Sequence, residues 1–564
     1  MTSSVERTRG AGRAVARWQT NAPLVVLAWA VRISALVAVV DLNRPDLRAG
    51  SKSFDDTRQV ITLTVAVISA AIALLLAGGL RRGRRRAWRV VTVVTAVGVL
   101  THVHAGSRLG LAVNATLLIA LVAFQDRFRA RAERISRWRA LRVLAVSLPI
   151  SVAAGLALTA DLAPRAGYGQ WIGQTLIGLL GATPDLPFAH RSASFTSTVL
   201  SALGASTLLL TGLAFLAPPR GRAPMAPEDA ARLRELLARH GAQDSLGYFA
   251  LRADKLAVFS ESGKAAVTYR VVGGASLASG DPLGDPEAWP GAIQAWLAEA
   301  REFAWTPGVL GASETGAAAY ARAGLDALEV GDEAVLELGS WRLDGRAMRG
   351  VRQSVNRAKR AGHTVAIARL RELSGADTAE LCAAADQFRD GEVERGFSMA
   401  LGRLDADLDP ELLVVRIRNG EQHLVAVLAF VPWGSDGVSL DLMRRARDSE
   451  NGVVELAVAS VAEQGPALGL KRISLNFAVF RSAFERGSRI GAGPVSRSWR
   501  RILVLASRWW QIESLYRANV KYNPVWLPRY VCFRSAAELP GVTLAALEAE
   551  AFVQRPRLLR LLGR

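Results

Sequence analysis

Six apolar stretches long enough to cross a membrane crowd into the first 220 residues, at roughly 22–41, 59–80, 88–104, 109–125, 141–160 and 197–217. A bilayer core takes about 20 apolar residues per helix. Lipid offers no partner to an unpaired backbone amide, so such runs must close their hydrogen bonds as helices. The first 220 residues therefore predict an all-α transmembrane bundle of about six helices. Arginine-rich connections follow the second span (RRGRRR, 81–86), the fourth (DRFRARAERISRWR, 126–139) and the sixth (PPRGR, 218–222), while AGSR at 105–108 is weakly charged. The positive-inside rule then places both termini, and all that follows the sixth span, in the cytosol of a multi-pass inner-membrane protein. Arg7, Arg9, Arg13 and Arg17 precede the first span without a small-residue cleavage site, which reads as a retained anchor. The segment YGQWIGQTLIGLLGAT, 168–183, is too short and mixed for a span and is expected in the interface or re-entrant; a seventh span would break the topology.

Beyond residue 225 the pattern changes to short β-rich runs (AAVTYRVVGG, HLVAVLAFVPW, GVSLDLM, RISLNFAVF) alternating with helical periods such as DAARLRELLARHG. This predicts a mixed α/β cytosolic region without regular βαβ repetition. Its length exceeds one ordinary domain, so it divides into units at 221–340 and 341–545, followed by a basic amphipathic tail at 546–564. Seventy Lys+Arg against 50 Asp+Glu give a net charge of +20, in a chain that is half hydrophobic. That combination fits cytosolic surfaces facing anionic lipid or nucleic acid. Cys382 and Cys532 lie far apart and the six histidines are scattered, so no metal site or disulfide framework is indicated.

The segment RAMRGVRQSVNRAKRAG, 346–362, predicts a helix with Met348, Val351, Val355 and Ala358 on its apolar stripe and Gly362 as its stop. Arg346, Arg349, Arg352, Arg357, Lys359 and Arg360 crowd the remaining surface without one acid. An unmixed charged face calls for phosphate, on nucleic acid or on lipid. Downstream, Glu394 and Arg395 open ERGFSM, Asp441 and Arg444 lie in SLDLMRR with Asn451 just after, and Asn476 sits within an apolar strand. Strand alternation separates Asp441 from Arg444, so a strand ending at Met443 is needed to turn both into one pocket. An inward Asn476 amide is costly unless bonded. Finally Tyr516, Lys521 and Arg529 belong to YRANVKYNPVWLPRY, where aromatics alternate with cations, as suits a phosphate-bearing ligand with stacked bases or a membrane headgroup surface.

The order SGDPLGDP, RGVRQSVNRAKRAG, ERGFSM, SLDLMRR followed by NG, ISLNFAVF and YRANVKYNPVWLPRY resembles the C-terminal domain of phosphatidylglycerol lysyltransferases, the aminoacyl-phosphatidylglycerol synthases or multiple peptide resistance factors, over residues 225–540. The resemblance implies a tandem of acetyltransferase-like (GNAT) folds, with aminoacyl-tRNA bound along 346–362 and phosphatidylglycerol entering from the membrane. It implies catalytic roles for Asp441, Arg444 and Lys521 and substrate-binding roles for Glu394, Arg395, Asn451, Asn476, Tyr516 and Arg529. No cofactor or metal is called for; membrane lipids are the further partners, and a homo-oligomer is left open. The implied reaction is transesterification. A glycerol hydroxyl attacks the ester between amino acid and tRNA ribose, Asp441 orients the α-amine or assists the proton transfer, and Arg444 and Lys521 hold phosphate or oxyanion. Lysine or alanine is the expected donor, and the product would lower membrane negative charge and confer cationic-peptide resistance. Six spans look too few for the flippase of longer relatives. Without the lysyl-tRNA synthetase that some actinobacterial relatives append, charged tRNA is expected from the common pool. Three alternatives stand beside this reading: transfer from acyl-CoA, for which no Q/R-x-x-G-x-G/A turn is found; transfer to another lipid or a cell-wall precursor; and a non-enzymatic membrane-tethered RNA- or lipid-binding protein.

Overall fold

The computed structural model describes residues 85–104, 108–128, 135–180, 190–216, 225–389, 396–479 and 518–553, with six isolated positions nearer the N-terminus. The first two expected spans lie almost wholly outside the described residues, as do Glu394, Arg395, Tyr516 and the tail from 554. The chain divides into two compact units, residues 1–219 and 220–554, apart from the short segment Arg301–Ala304.

In the first unit, helices α1 (Arg85–His104), α2 (Arg108–Ala123), α3 (Ile135–Leu162) and α5 (His190–Leu216) occupy the four remaining apolar stretches. Among the described residues one helical stretch, Ala140–Leu162, is long and apolar enough to cross a membrane. The shorter apolar stretches within α1, α2 and α5 are Ala87–Ala96, Leu111–Ala123 and Val199–Gly212. The ambiguous 168–183 segment contains α4 (Tyr168–Leu179), twelve residues. At 1.5 Å per residue it is about 18 Å long, well short of a bilayer core. A small residue of its neighbour lets it sit close: a Cβ on Gly204 of α5 would lie 1.9 Å from the Leu179 carbonyl oxygen. Hydroxyl pairs fasten the same helices, Ser151 to Thr207 at 2.8 Å and Thr159 to Thr175 at 3.2 Å. Close backbone approach and interhelical hydroxyl bonds hold helices together where the surroundings are themselves apolar.

The second unit is built on one sheet of twelve described strands: β1 (Leu256–Phe259), β2 (Ala265–Val272), β3 (Ala275–Ser279), β4 (Leu283–Gly284), β5 (Thr306–Ala312), β6 (Asp326–Glu337), β7 (Thr364–Arg369), β8 (Leu413–Arg418), β9 (Leu424–Trp433), β10 (Gly437–Arg445), β11 (Arg472–Val479) and β12 (Val525–Phe533). Their order is β1-β2-β3-β5-β12-β6-β11-β10-β9-β8-β7, with β4 beside β2. A plan repeats within it. An antiparallel β1–β3 meander leads through helix α7 (Trp289–Glu302) to β5, parallel to β3; an antiparallel β7–β10 meander leads through helix α11 (Val453–Gln464) to β11, parallel to β10. β6, which ends just before residue 340, pairs with both β11 and β12, so the sheet is continuous across the division expected there.

Both faces of the sheet are covered, so its central strands are apolar on both sides. Along β9, Ala426, Leu428 and Phe430 enter one core, with the basic-segment helix α9 (Arg349–Arg360) and α11; Val427, Ala429 and Val431 enter the other, with α6 (Pro227–His240) and α10 (Gly375–Arg389). Met348, Val351, Val355 and Ala358, the predicted stripe, are all buried in the first core.

Charge is buried at the middle of this sheet. Arg529 on β12, with 4% of its side chain exposed, donates to Asp244 Oδ1 (2.7 Å), the Gly311 carbonyl (3.1 Å), Ser245 Oγ (2.6 Å) and Glu333 Oε2 (3.0 Å from Nε). Glu333 on β6 also accepts from the hydroxyls of Ser245 and Ser474, the latter on β11. Burial and neighbouring Asp244 push the Asp281 carboxyl well above the usual range, while its oxygens accept from Ser313 N and Oγ. One cation among three acids leaves no spare positive charge. Removing one partner of a buried ion pair costs about 3–5 kcal/mol, because the other charge stays buried. Arg529→Met should therefore lower the thermal midpoint of the detergent-solubilised protein sharply, whereas Arg239→Ala, at a pair with Glu235 exposed on both sides, should leave it nearly unchanged.

Lys255 is a second buried cation, bonded through Nζ to the Phe249 carbonyl (2.9 Å) and Ser279 Oγ (2.6 Å). Burial, then Arg252 and Arg270, bring it down to about 7, against partial opposition from Asp254 and Glu550. The unfolded chain holds this proton up to an ordinary lysine pKa while the folded chain has already released it, so stability rises as pH climbs from about 7 towards 10. Measured as the thermal midpoint against pH, that rise should be present in the native chain and absent from Lys255→Met.

Candidate active site

The opening between β10 and β11 is the feature around which the polar residues gather. These parallel strands pair only from Gly437–Ser439 against Arg472–Ser474 and then part. Two irregularities drive them apart. On β10 the pairing with β9 skips a residue between Leu440 and Leu442, leaving Asp441 as the bulged position; on β11 the pairing with β6 skips between Ser474 and Phe477. Asn476, at the second irregularity, takes φ +67°, a left-handed conformation that Asn tolerates better than most residues. Its Nδ2 donates to the Leu440 carbonyl at 2.5 Å, bridging the strands where they diverge. Its Oδ1 is buried without a hydrogen-bond partner among the described residues.

The bulge corrects the expected arrangement of SLDLMRR. The strand does not end at Met443 but runs to Arg445. The extra residue instead resets the alternation: Leu440 packs in the α9/α11 core and Leu442 in the α6/α10 core. Asp441 and Arg444 consequently both reach the α6/α10 face. Asp441 Oδ1 accepts from Leu401 N at 2.7 Å, in the loop that continues ERGFSM, and Arg444 Nη1 donates to the Ala385 carbonyl of α10 at 2.6 Å. A bulge re-aims side chains without ending the strand.

Lys521 stands elsewhere. It pairs with Glu455 at 2.6 Å, in the first turn of α11, a helix of the opposite core. The expected trio of Asp441, Arg444 and Lys521 is thus split between the two faces, on either side of the β10–β11 opening. Asn451 is exposed one residue before Gly452, the left-handed N-cap of α11; a Cβ on Gly452 would lie 2.6 Å from the Ser354 carbonyl of α9, so the NG pair fixes where these helices cross. Arg529, expected as a substrate contact, is sealed in the ion cluster described above, with its guanidinium held by protein groups.

On α9 the basic residues divide. Arg346, just before the helix, and Arg349, Arg357, Lys359 and Arg360 on it are exposed, and no acid pairs with them among the described residues. Arg352 instead is half-buried and donates to the Leu343 (2.9 Å) and Gly345 (3.2 Å) carbonyls, holding the turn that enters the helix. No group of His, Cys, Asp and Glu suited to a metal occurs among the described residues. Sequence reasoning missed Ser245, Glu333 and Ser474, whose types are common, and the carboxylate of Glu550, which accepts from the backbone amides of Phe397 and Ser398.

Comparison with known proteins places these features in a family. The model of the phosphatidylglycerol lysyltransferase C-terminal domain matches residues 234–533, and that of the transmembrane region of lysyl-tRNA synthetase matches residues 15–215. The lysylphosphatidylglycerol biosynthesis bifunctional protein LysX of Rhodococcus opacus is 46% identical over 497 residues, covering 86% of this chain and 45% of that protein. Its counterpart in Mycobacterium marinum is 41% identical over 560 residues, covering 96% and 50%. The chain spans about half the length of these curated relatives. Among solved structures, the C-terminal domain of a putative lysylphosphatidylglycerol synthetase from Agrobacterium fabrum aligns with TM-score 0.48 and 23% identity over 57% of this chain and 95% of that one. With more than half of its length matched by the family model, the chain belongs to the phosphatidylglycerol lysyltransferase C-terminal family.

Proposed function

We propose that this protein transfers an amino acid, lysine or alanine, from aminoacyl-tRNA to phosphatidylglycerol, and that it does so as a multi-pass inner-membrane protein with its α/β unit in the cytosol. The observation that carries the reading is the β-bulge at Asp441, which brings a carboxylate and the Arg444 guanidinium to one face beside the opened strands. The repeated meander–helix–parallel-strand plan supports reading the α/β unit as tandem acetyltransferase-like folds. In such a site the donor ester lies along the opening. Asp441 orients the α-amine or takes part in the proton transfer from the attacking glycerol hydroxyl, and Arg444 stabilises the developing oxyanion or the lipid phosphate. The ester is already activated, so holding the two substrates together supplies much of the acceleration. Asn476 keeps a buried, unmet Oδ1 beside the opening, suited to a donor N–H.

The start of α11 weighs against acyl-CoA as donor. A pyrophosphate needs free N–H groups at a helix N-terminus. Here Glu455 brings a carboxylate into that first turn and Lys521 is engaged in neutralising it. The unpaired cations lie instead along α9, where they suit the phosphates of a polynucleotide.

Lipids extracted from cells expressing the chain should contain a new aminoacyl-phosphatidylglycerol by mass spectrometry, absent with Asp441→Ala; its mass names the amino acid. A new aminoacyl lipid of another class would favour the alternative acceptor, and none at all, with good membrane expression, the binding-protein reading. Charge removal on α9 tests the tRNA surface. Arg349→Gln and Arg357→Gln should each weaken tRNA binding and make the salt dependence shallower by about one phosphate contact, whereas Arg352→Gln should chiefly lower stability.

A further inference from the structure

Glu550 stands where helix energetics oppose it. It caps the C-terminal end of helix α12 (Leu539–Ala549), and the dipole there is negative and disfavours a carboxylate. A residue that breaks a local rule in a folded chain is held by other contacts, and these breaches concentrate where function requires them. The contacts are specific. Glu550 Oε2 accepts from Phe397 N at 2.7 Å, Oε1 from Ser398 N at 3.0 Å, and the Ser398 hydroxyl donates to Oε1 as well. One carboxylate thus takes three donors from two successive residues of a loop more than 150 positions earlier in the chain.

That loop is fixed from other directions too. Phe397 is fully buried against α12, with Val542, Ala545 and Ala549, and Lys255 Nζ stands 4.8 Å above its ring. Gly396 takes φ +114°, and a Cβ there would lie 2.4 Å from the Ala400 Cβ, so the turn is tight as well as anchored. Three residues past Ser398, Leu401 N donates to Asp441 Oδ1 at 2.7 Å. The chain from anchor to carboxylate is therefore Glu550, the Phe397–Ser398 backbone, Leu401 N and Asp441.

We infer that Glu550 is a positioning residue for the transfer reaction: it sets the 396–401 loop so that Leu401 N fixes the orientation of the Asp441 carboxylate at the β10 bulge. This rests on the reading of Asp441 as a reacting-site residue. Glu550 itself touches no reacting atom, so its loss should alter how well Asp441 is aimed and leave substrate affinity alone. Misplacement of a reacting-site group by about 1 Å costs up to roughly a hundredfold in rate.

The test uses the full chain in detergent or vesicles with aminoacyl-tRNA and phosphatidylglycerol, comparing wild type, Glu550→Gln, Glu550→Asp and Ser398→Ala. Ser398→Ala deletes one of the three donors with little change of volume, which keeps the test open if Glu550→Gln fails to fold. Glu550→Gln should lower kcat by about ten- to a hundredfold with KM for both substrates nearly unchanged, with Ser398→Ala intermediate and Glu550→Asp recovering part of the loss. Hydrogen exchange of the 396–401 peptide should quicken in step, while peptides from β8 and β9 keep their protection. The inference is overturned if that loop loosens and kcat holds. It is equally overturned if kcat falls only together with a lower thermal midpoint and general loss of protection, the mark of plain destabilisation. Wild-type protein without any aminoacyl transfer would instead sink the reading of the reaction itself, which separates the two failures.

Discussion

A guanidinium buried in the centre of a twelve-stranded sheet decides how the α/β unit is assembled. Arg529 comes from β12 late in the chain, Glu333 from β6, Ser474 from β11, and Asp244 and Ser245 from the loop after α6. Each alone would be a costly buried polar group, and only together are their hydrogen bonds met. The cluster therefore makes the two repeated halves interdependent. β12, last in sequence, lies between β5 and β6, and cannot take that place without delivering its arginine to Asp244 and Glu333, to which Ser474 of the second half is bonded in turn.

From that register follows the opening used by the proposed site. Ser474 is tied to Glu333, which holds the start of β11 on β6, and the pairing irregularity comes immediately afterwards. β10 continues along β9 while β11 follows β6, so the two can only diverge. Asn476 spans the first step of the divergence, and the bulge at Asp441 lies just beyond it. The polar residues of the site are thus placed by two pairing irregularities on neighbouring strands, both downstream of one buried ion cluster.

Much of this was legible in the sequence, though unevenly. The α9 stripe was readable because Met348, Val351, Val355 and Ala358 recur at helical spacing and every charged residue between and around them is cationic. The β-rich runs of the second half emerged as strands because both faces of β8 and β9 are buried, leaving continuous apolar runs. The bulge was not readable: nothing in SLDLMRR marks an extra residue, and simple alternation separated Asp441 from Arg444 where the folded chain unites them. Arg529 misled for a related reason. An arginine among aromatics looks like a ligand contact, and the acids that claim it lie nearly 200 and 300 residues away, where no local pattern could point to them.

The same distinction separates the two sets of cations in the α/β unit. Lys521 and Arg529 are matched to acids inside it, Glu455 for the first and Asp244 with Glu333 for the second, so neither adds net field at the surface. Arg346, Arg349, Arg357, Lys359 and Arg360 meet no acid among the described residues and lie on or just before a helix anchored by its buried stripe. Unscreened by counter-charges, they set the long-range potential that a polyanion meets first, within a Debye length of about 8 Å at physiological salt. A polyanion drawn to α9 arrives beside Gly452 and the start of α11, where the packing of Ser354 against the NG turn fixes the helix crossing. The charges that attract and the charges that hold the sheet together are thus different residues, and each set can be altered without dismantling the other.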